Sequence, residues 1–341
     1  MKSPSFQLAS RTNSLYSAIK KNLFLVSLFV LLGLGYSLAI PLAGLAEASW
    51  IKWGIVSVTM FMMAWPLKFE QLSTAISRPQ AALLASILNV GLIPILVWPF
   101  TGFAGLEIGC GMIVAAATPC TLATGAVWTR RAGGNDGVAM MVTIITNSTC
   151  FIVLPFWIFW LTGIEIEPSK LIGTVYKLLA FVVLPIGVAQ LLRVHQASAN
   201  WATINKSKLS IVAMIGVLAV VFLGAIGMGN RVGGIQGTSA KDLLVAATVL
   251  ASVHCAVFWL GMKIAGAMKM ARPDQIAVGF SGSQKTLVIG LSTAISLGFS
   301  MIPILMYHVM QLVIDTVLVD QIRNRRQRLA QENSAHETPQ A

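Results

Sequence analysis

One segment of the sequence combines a lysine with an amide and two hydroxyls inside apolar surroundings, at Ser281, Ser283, Gln284 and Lys285. Ionisable and amide side chains are costly in hydrocarbon and usually face a bundle interior, a partner or a water-filled cavity. Three roles therefore fit Lys285: a counter-ion for an anionic substrate, a fixed charge replacing a metal cation, or a titrating proton carrier. The alternatives are a structural pair with Asp315, or extension of the lysine stem toward water.

A second segment carries three threonines around a proline, at Thr118, Thr121 and Thr124. Pro119 removes one helical hydrogen bond and its ring clashes with the preceding turn, so the sequence predicts a helix break there. The threonines could contact a substrate or ion, or hydrogen-bond their own helix backbone.

Four further candidate binding residues are single polar groups within apolar segments: Asn89, Thr143, Asn147 and His308. Spacings of three and seven residues place Gln311 and Asp315 on the same helix face as His308, which predicts an inward polar stripe. A hydrogen-bonded packing role for this histidine fits equally well. At 1.5 Å per residue, Asn89, Gln284 and Lys285 lie roughly 15 Å from the ends of their segments, so the polar groups converge near mid-membrane.

The composition requires a lipid solvent for these elements. Of 341 residues, 56% are hydrophobic and 11% are charged, which is too few charges to cover a water-facing surface. The net charge of +12 therefore does not indicate a nucleic-acid binder. The four cysteines are scattered, with no CxxC motif and no histidine at ligand spacing, so neither a disulfide framework nor a zinc site is predicted.

Ten apolar windows are long enough to cross a membrane as helices. They are 23–45, 50–66, 79–99, 104–129, 135–161, 171–193, 209–229, 242–266, 275–298 and 301–320. Both tails are basic, and this arrangement puts 18 of the 24 lysines and arginines on the side of the two termini. The positive-inside rule then predicts a multi-pass protein of the plasma (inner) membrane with both termini cytoplasmic. Five tryptophans are expected at the outer interface: Trp50, Trp53, Trp98, Trp157 and Trp160.

The predicted organisation has two halves. Residues 1–22 form a cytoplasmic basic tail, 23–161 a first five-helix repeat, 171–320 a second, and 321–341 a basic tail that is disordered at its end. Because five is odd, the second half begins on the opposite side and is an inverted repeat. Interrupted helices in corresponding positions, here the fourth and ninth, indicate a transporter binding site. The first segment resembles a signal peptide, but its length favours an uncleaved helix.

At the two interrupted segments the sequence resembles the bile acid:sodium symporter family, the solute carrier family 10 type. The likeness is carried by residues 118–124 with 131–135 and by residues 281–287, and it extends over about residues 20–325. It is closest to the branch that contains the seventh human member and has bacterial relatives. The resemblance implies a core and a panel domain, fourth and ninth helices that unwind and cross, and alternating access for organic anions with sodium bound behind the crossover.

The resemblance carries over the sodium ligands only in part. Possible sodium ligands are Asn89, Thr124, Thr143, Asn147 and Gln284. A family ligand falls at Gly125 and is lost, the family glutamate position is Phe280, and a family asparagine position is Lys285. Because like charges oppose each other in a low-dielectric site, the residues favour a lysine that substitutes for one sodium. Transport would then be independent of sodium, or coupled to H⁺ or a single Na⁺.

The sequence thus predicts an all-α secondary transporter of a small organic anion, bile-acid-like or another organic acid, by alternating access. The alternative is a non-transporting membrane regulator or sensor of cation handling. An enzyme is not expected, because no HExxH, GxSxG, paired aspartate or Cys/His cluster is present. A channel is not favoured, because the sequence contains no filter-like repeat. No cofactor is predicted beyond Na⁺ or H⁺ as a coupling ion, the bilayer is the expected partner besides the anion, and the oligomeric state is left open.

Overall fold

The described part of the chain is entirely helical. The computed structural model describes residues 23–67, 79–122, 124–163, 167–230 and 238–336. The predicted basic tail 1–22, residues 68–78 and residues 337–341 lie outside the described residues.

Fourteen helices follow one another in these ranges. They are α1 Leu23–Ser37, α2 Ala43–Glu47, α3 Ser49–Ala64, α4 Pro79–Thr101, α5 Leu106–Ala117, α6 Gly125–Arg131, α7 Asp136–Leu161, α8 Pro168–Arg193, α9 Gln196–Ile204, α10 Lys206–Gly229, α11 Ala240–Ala267, α12 Arg272–Ser283, α13 Leu287–Leu297 and α14 Ile302–His336.

Six of these helices are long and apolar enough to cross a membrane: α4, α7, α8, α10, α11 and the part of α14 up to Gln327. The apolar helices α3 and α5 are shorter. The chain is therefore a membrane protein with several apolar helices, as the composition predicts. Within the described residues α10 packs against α1 and α3, α11 packs against α12, and α14 packs against α11 and α5.

The two predicted helix interruptions are present. Helix α5 ends at Ala117, and Thr118 is extended with ψ 149°. Helix α12 ends at Ser283, and Gln284 is extended with ψ 145°. The breaks meet, because the Thr286 amide donates to the Pro119 carbonyl over 2.9 Å. We refer to residues 118–122 together with Thr124 as the first break and to residues 284–286 as the second break.

Helix α4 contains a π-helical segment, Ile87–Leu92, just before Pro94. In this segment the Ile93 amide donates to the Leu88 carbonyl, five residues back. Pro94 has no N–H to offer, so the carbonyls of Asn89 and Val90 are left without a helical donor. The second of these accepts from Trp157 Nε1 over 2.6 Å.

Four expectations about single elements need correction. The window 23–45 is not one helix, because α1 ends at Ser37 and Pro41, which cannot donate a backbone hydrogen bond, lies in the turn before α2. Trp53 is not interfacial but 2% exposed, since its ring packs on Phe181. Trp157 is only partly buried, but its indole N–H is used inside the protein. Helix α14 continues far beyond residue 320, through a stretch rich in the helix formers Arg and Gln.

We expect Gly111→Ala to destabilise the protein by about 1–3 kcal/mol, because overpacking forces side chains and backbone apart. A Cβ at Gly111 would lie 2.5 Å from the Ser300 carbonyl oxygen and 2.9 Å from Pro303 Cγ. Gly54→Ala is the control, since nothing lies within 4 Å of a Cβ there. Thermal unfolding of the purified protein measures both. Equal melting temperatures for the two variants would contradict the close packing of α5 on the start of α14.

Candidate functional site

The two breaks place the Lys285 ammonium among carbonyl oxygens of two other segments. Lys285 Nζ donates to the Asn89 backbone carbonyl over 2.6 Å and to the Thr118 carbonyl over 2.8 Å. It also lies 3.4 Å from Asn89 Oδ1. The side chain is 3% exposed. The structure therefore brings two of the predicted site residues, Asn89 and Thr118, against the buried ammonium of a third, Lys285.

These acceptors are available because the local backbone is irregular. The π-helical segment and Pro94 free the Asn89 carbonyl from its own helix, and the first break frees the Thr118 carbonyl from α5. The carboxyl ends of α5 and α12 also converge on this point, and helix C-termini carry partial negative charge. A cation at this position is thus stabilised by dipoles rather than by a carboxylate.

Asn89 holds the second break in place through its amide group. Its Nδ2 donates to the carbonyls of Gln284 over 2.7 Å, Ser281 over 3.0 Å and Gly282 over 3.4 Å. These are carbonyls at the end of α12 that lack helical donors. Asn89 is fully buried. Its side-chain oxygen faces the ammonium, so it is not free to bind a separate sodium ion in this arrangement.

Asp315 is not the partner of Lys285, contrary to the structural alternative raised by the sequence. The fully buried carboxylate contacts His254 Nε2 over 3.0 Å and accepts from Gln284 Nε2 over 2.5 Å. His254 Nδ1 lies 3.2 Å from the Ser283 carbonyl, which also accepts from the Tyr307 hydroxyl over 2.7 Å. The sequence analysis missed His254 and Tyr307. A polar residue inside the apolar window 242–266 was the available signal for the histidine.

The predicted polar stripe on α14 does face the second break. Gln311 contacts the Lys285 backbone twice, accepting from its amide over 2.8 Å and donating to its carbonyl over 2.9 Å. His308 Nδ1 lies 3.1 Å from Gln311 Nε2. The stripe therefore replaces helical hydrogen bonds that the second break lacks.

Polar side chains of α7 perform the same task at the first break. Asn147 Nδ2 donates to the Cys120 carbonyl over 2.8 Å, and the Thr143 hydroxyl lies 3.2 Å from the Thr121 carbonyl. The Cys120 amide donates to Thr146 Oγ1 over 3.1 Å, a contact that the sequence analysis missed. Thr124 Oγ1 donates to the Thr121 hydroxyl over 3.2 Å. Of the predicted threonines, Thr118 hydrogen-bonds its own helix, donating to Ala115 over 2.8 Å.

Three buried side-chain oxygens of the predicted site residues have no hydrogen-bond partner among the described residues. These are Asn147 Oδ1, Gln284 Oε1 and the Ser281 hydroxyl. Ser283 Oγ instead donates back to Gly279 within its own helix over 2.9 Å. Buried amide oxygens are acceptable ligands for a hard cation, so two of the five possible sodium ligands fit one. Phe280 packs edge-on against Phe258 and adds no charge.

A cavity of about 500 Å³ adjoins both breaks. Thr121, Thr124, Thr286 and His308 line one side, and apolar residues of α3 and α10 line the other. The N-terminus of α13 reaches the wall at Leu287 and Val288 and has no side-chain cap. Uncapped backbone amides at a helix N-terminus favour negative charge.

Two of the residues that line this cavity are basic and exposed, and we call the part of the lining that they form the mouth. Arg130 and Lys206 lie at the lining, and the arginine side chain is 60% exposed while it pairs with Asp136. The arrangement can hold an amphipathic anion: an apolar body against α3 and α10, and an anionic group near the threonines or the basic mouth.

Comparison with known proteins identifies a transporter family and several relatives. The SBF-like CPA transporter family (DUF4137) matches residues 22–324. The uncharacterized protein PA2026 of Pseudomonas aeruginosa is 24% identical over 230 residues, covering 64% of this chain and 67% of that protein. The probable sodium/metabolite cotransporter BASS4, chloroplastic, is 25% identical over 244 residues in Arabidopsis thaliana, covering 63% of this chain and 52% of that one. Its counterpart in Oryza sativa subsp. indica is 24% identical over 254 residues, covering 68% and 57%.

The chain spans little more than half the length of these plant relatives. The family match nevertheless covers most of the chain, including both breaks and the cavity lining. The helices, the paired breaks and the match agree: the chain belongs to the SBF-like CPA transporter family, a family of transporters and not of enzymes.

Proposed function

We propose that the protein is a secondary transporter that carries a small organic anion across the plasma (inner) membrane by alternating access. The single observation that carries the proposal is the cavity of about 500 Å³ against two contacting helix breaks. Broken helices that meet at a cavity are the usual location of a transporter binding site. The uncapped N-terminus of α13 and the basic mouth support an anion as the substrate.

The proposed architecture is ten membrane-spanning helices in two inverted five-helix repeats, with a core and a panel domain. Helices α5 with α6 and α12 with α13 would be the fourth and ninth spans. Both termini would be cytoplasmic, which assigns the basic mouth beside Arg130 and Lys206 to the cytoplasmic side. The described conformation would then be open inward. The relation to the branch of the seventh human member stays a prediction.

We also propose that Lys285 stands where related transporters hold a sodium ion. Its ammonium is surrounded by neutral carbonyl oxygens and by two helix C-termini, which is the environment that a bound metal cation needs. Coupling would then be to no sodium, to one Na⁺ held by the unpartnered amide oxygens, or to H⁺. The two plant relatives are described as probable sodium/metabolite cotransporters, which supports keeping a single Na⁺ among these outcomes.

Counterflow in proteoliposomes tests the proposed function without assuming a coupling ion. Vesicles are loaded with one unlabelled carboxylate from a panel of short aliphatic, long aliphatic and steroid acids, and uptake of the labelled acid is followed. We expect transient accumulation for at least one acid. Binding of an acid without any counterflow would instead identify a regulator or sensor and would overturn the proposal.

Ser210→Trp tests whether the carried anion uses the cavity. Ser210 lines the cavity on α10, and Ser207 is exposed on the same helix but is not part of the lining. We expect Ser210→Trp to reduce counterflow by about tenfold or more, because an indole fills space that the substrate requires. Ser207→Trp is the matched control and should leave the rate unchanged. Equal effects of the two variants would place the transport path elsewhere.

A further inference from the structure

Helices α3 and α13 are in contact near one end, and near the other end both line the cavity. At the touching end, Lys52 Nζ on α3 donates to Ser296 Oγ on α13 over 3.0 Å. At the other end Met63 of α3 and Val288 of α13 line the cavity. Met63 lies about 16 Å from Lys52 along α3 at 1.5 Å per residue. The Lys52–Ser296 contact therefore joins the two helices at the end away from the cavity, and we call this end the closed end.

The surroundings of Lys52 are unusual for a lysine. The residue is 5% exposed, and its ammonium lies 6.0 Å from the centroid of the neighbouring Trp53 ring. The nearby charge is that of Lys177 on α8, which is of the same sign. Among the described side chains, no carboxylate lies within ion-pair distance of this ammonium. The buried Trp53 Nε1 also has no hydrogen-bond partner among the residues that the structure describes.

These features leave donors without acceptors at the closed end. A lysine ammonium carries three donors, and the contacts described give it one hydroxyl oxygen. A buried cation beside a second cation is poorly compensated, so an anionic group at this place would be bound favourably. We expect this shortage of acceptors if an anion contacts Lys52 in another conformation and is excluded from it in the described one.

We propose that Lys52 is a gate residue of the transport cycle, which rests on the proposed function. In the described conformation its bond to Ser296 holds the far end shut. When α3 and α13 separate there, the ammonium is released from the hydroxyl and becomes the first cationic group that an entering carboxylate or similar organic anion meets, with Lys177 beside it.

The position of Ser296 links this gate to the binding site. Ser296 lies on α13, which begins at Leu287 directly after the second break. The same short helix thus carries the gate contact near its C-terminus and the cavity wall at its N-terminus. A tilt of α13 about the second break would open one end as it closes the other, because an eleven-residue helix moves as a rigid rod.

Thiol labelling in proteoliposomes tests the gate without any substrate. Ser210→Cys places a reactive thiol in the cavity wall, and a Cys255→Ala background removes the partly exposed native cysteine, since Cys110, Cys120 and Cys150 are buried. A membrane-impermeant maleimide is the probe. We expect Ser296→Ala to slow labelling of this thiol by about threefold or more, because the closed far end loses population.

The matched control for Ser296→Ala is Ser292→Ala, one turn earlier on α13. The Ser292 hydroxyl donates to the Val288 and Ile289 carbonyls of its own helix, so its loss should not shift the conformation. Equal labelling rates in the two variants overturn the gate. This readout does not depend on whether the anion panel shows counterflow.

The anion contact is tested by comparing two variants that break the same hydrogen bond. Lys52→Met removes the charge, whereas Ser296→Ala keeps it. In counterflow with a carboxylate that the wild type exchanges, we expect Lys52→Met to raise the half-saturating concentration from the gate side by about tenfold relative to Ser296→Ala. Lys52→Arg should restore it. Equal half-saturation in Lys52→Met and Ser296→Ala overturns the anion contact.

The experiments distinguish a failure of the proposed transport function from a failure of the proposed gate. If the wild type exchanges no carboxylate, the proposed function fails, and the labelling comparison still decides whether Lys52 and Ser296 control access to the cavity. If the wild type exchanges a carboxylate and Ser296→Ala labels like Ser292→Ala, the gate alone is wrong.

Discussion

Replacing Lys285 with alanine is expected to lower the free energy of unfolding by about 3 kcal/mol or more, because buried acceptors left without donors each cost about 1–3 kcal/mol. The variant leaves the carbonyl oxygens of Asn89 and Thr118 in a buried pocket without their donor. Two helix C-termini then face each other without a cation between them. We expect transport in sodium-free medium to be lost at the same time.

Sodium should recover part of this loss in Lys285→Ala. An ion that binds only the folded state stabilises it by about 2.7 kcal/mol at a concentration of 100 times its dissociation constant. The measurement is the melting temperature in Na⁺ compared with K⁺, for the variant and the wild type. The control Lys263→Ala removes an exposed lysine of α11 and should change stability by less than about 0.5 kcal/mol.

The interpretation depends on how the response to Na⁺ differs between Lys285→Ala and the wild type. If Lys285→Ala responds to Na⁺ more than the wild type does, the ammonium occupies the place of an ion. If both respond equally, sodium binds elsewhere, for example at the unpartnered oxygens of Asn147 and Gln284, and Lys285 does not substitute for it. The second result would contradict the proposal while leaving the transporter assignment intact.

The two breaks could be predicted because their causes are local. Pro119 and the glycines and serines before Gln284 weaken a helix whatever surrounds it. That the two breaks touch, through Thr286 and Pro119, depends on how distant helices pack, and no local pattern specifies it. That the fourth and ninth helices cross was expected only from the resemblance to the bile acid:sodium symporter family.

Partner choice within the site could not be predicted for the same reason. Lys285 and Asp315 are opposite charges on neighbouring segments, which made an ion pair reasonable. In the structure the lysine contacts the Asn89 carbonyl, which the π-helical segment frees, and the Thr118 carbonyl, which the first break frees. The carboxylate contacts His254 of α11. Both alternatives satisfy the same charges, so geometry decides between them and composition does not.

Depth in the membrane was another weak point of the sequence argument. Trp53 and Lys52 lie near the start of α3, where an interfacial tryptophan and a solvated lysine are the ordinary expectation. Both are buried, because α8 and α13 cover this end of α3. Residues near a helix end can therefore be internal when neighbouring helices extend past them.

The second large effect is expected at Asp315, which the sequence analysis considered only as a partner of Lys285 and as part of the polar stripe. Asp315→Ala removes a carboxylate that is fully buried and contacts both His254 and Gln284. Removing one partner of a buried pair of this kind costs about 3–5 kcal/mol, since the groups left behind are desolvated and unpaired. We expect this loss in the free energy of unfolding, measured by denaturant titration in detergent micelles.

Asp320→Ala is the matched control because it removes an exposed carboxylate from the same helix and should cost less than about 0.5 kcal/mol. A double-mutant cycle with His254→Ala separates the pair from the rest of the cluster, and we expect a coupling energy of about 1–3 kcal/mol. The variant should also loosen the second break, because the side-chain amide of Gln284 would lose its acceptor. If Asp315→Ala lowers the free energy of unfolding no more than Asp320→Ala does, the carboxylate is not needed to hold the second break. The contacts of the Lys285 ammonium and of Gln311 would then be sufficient.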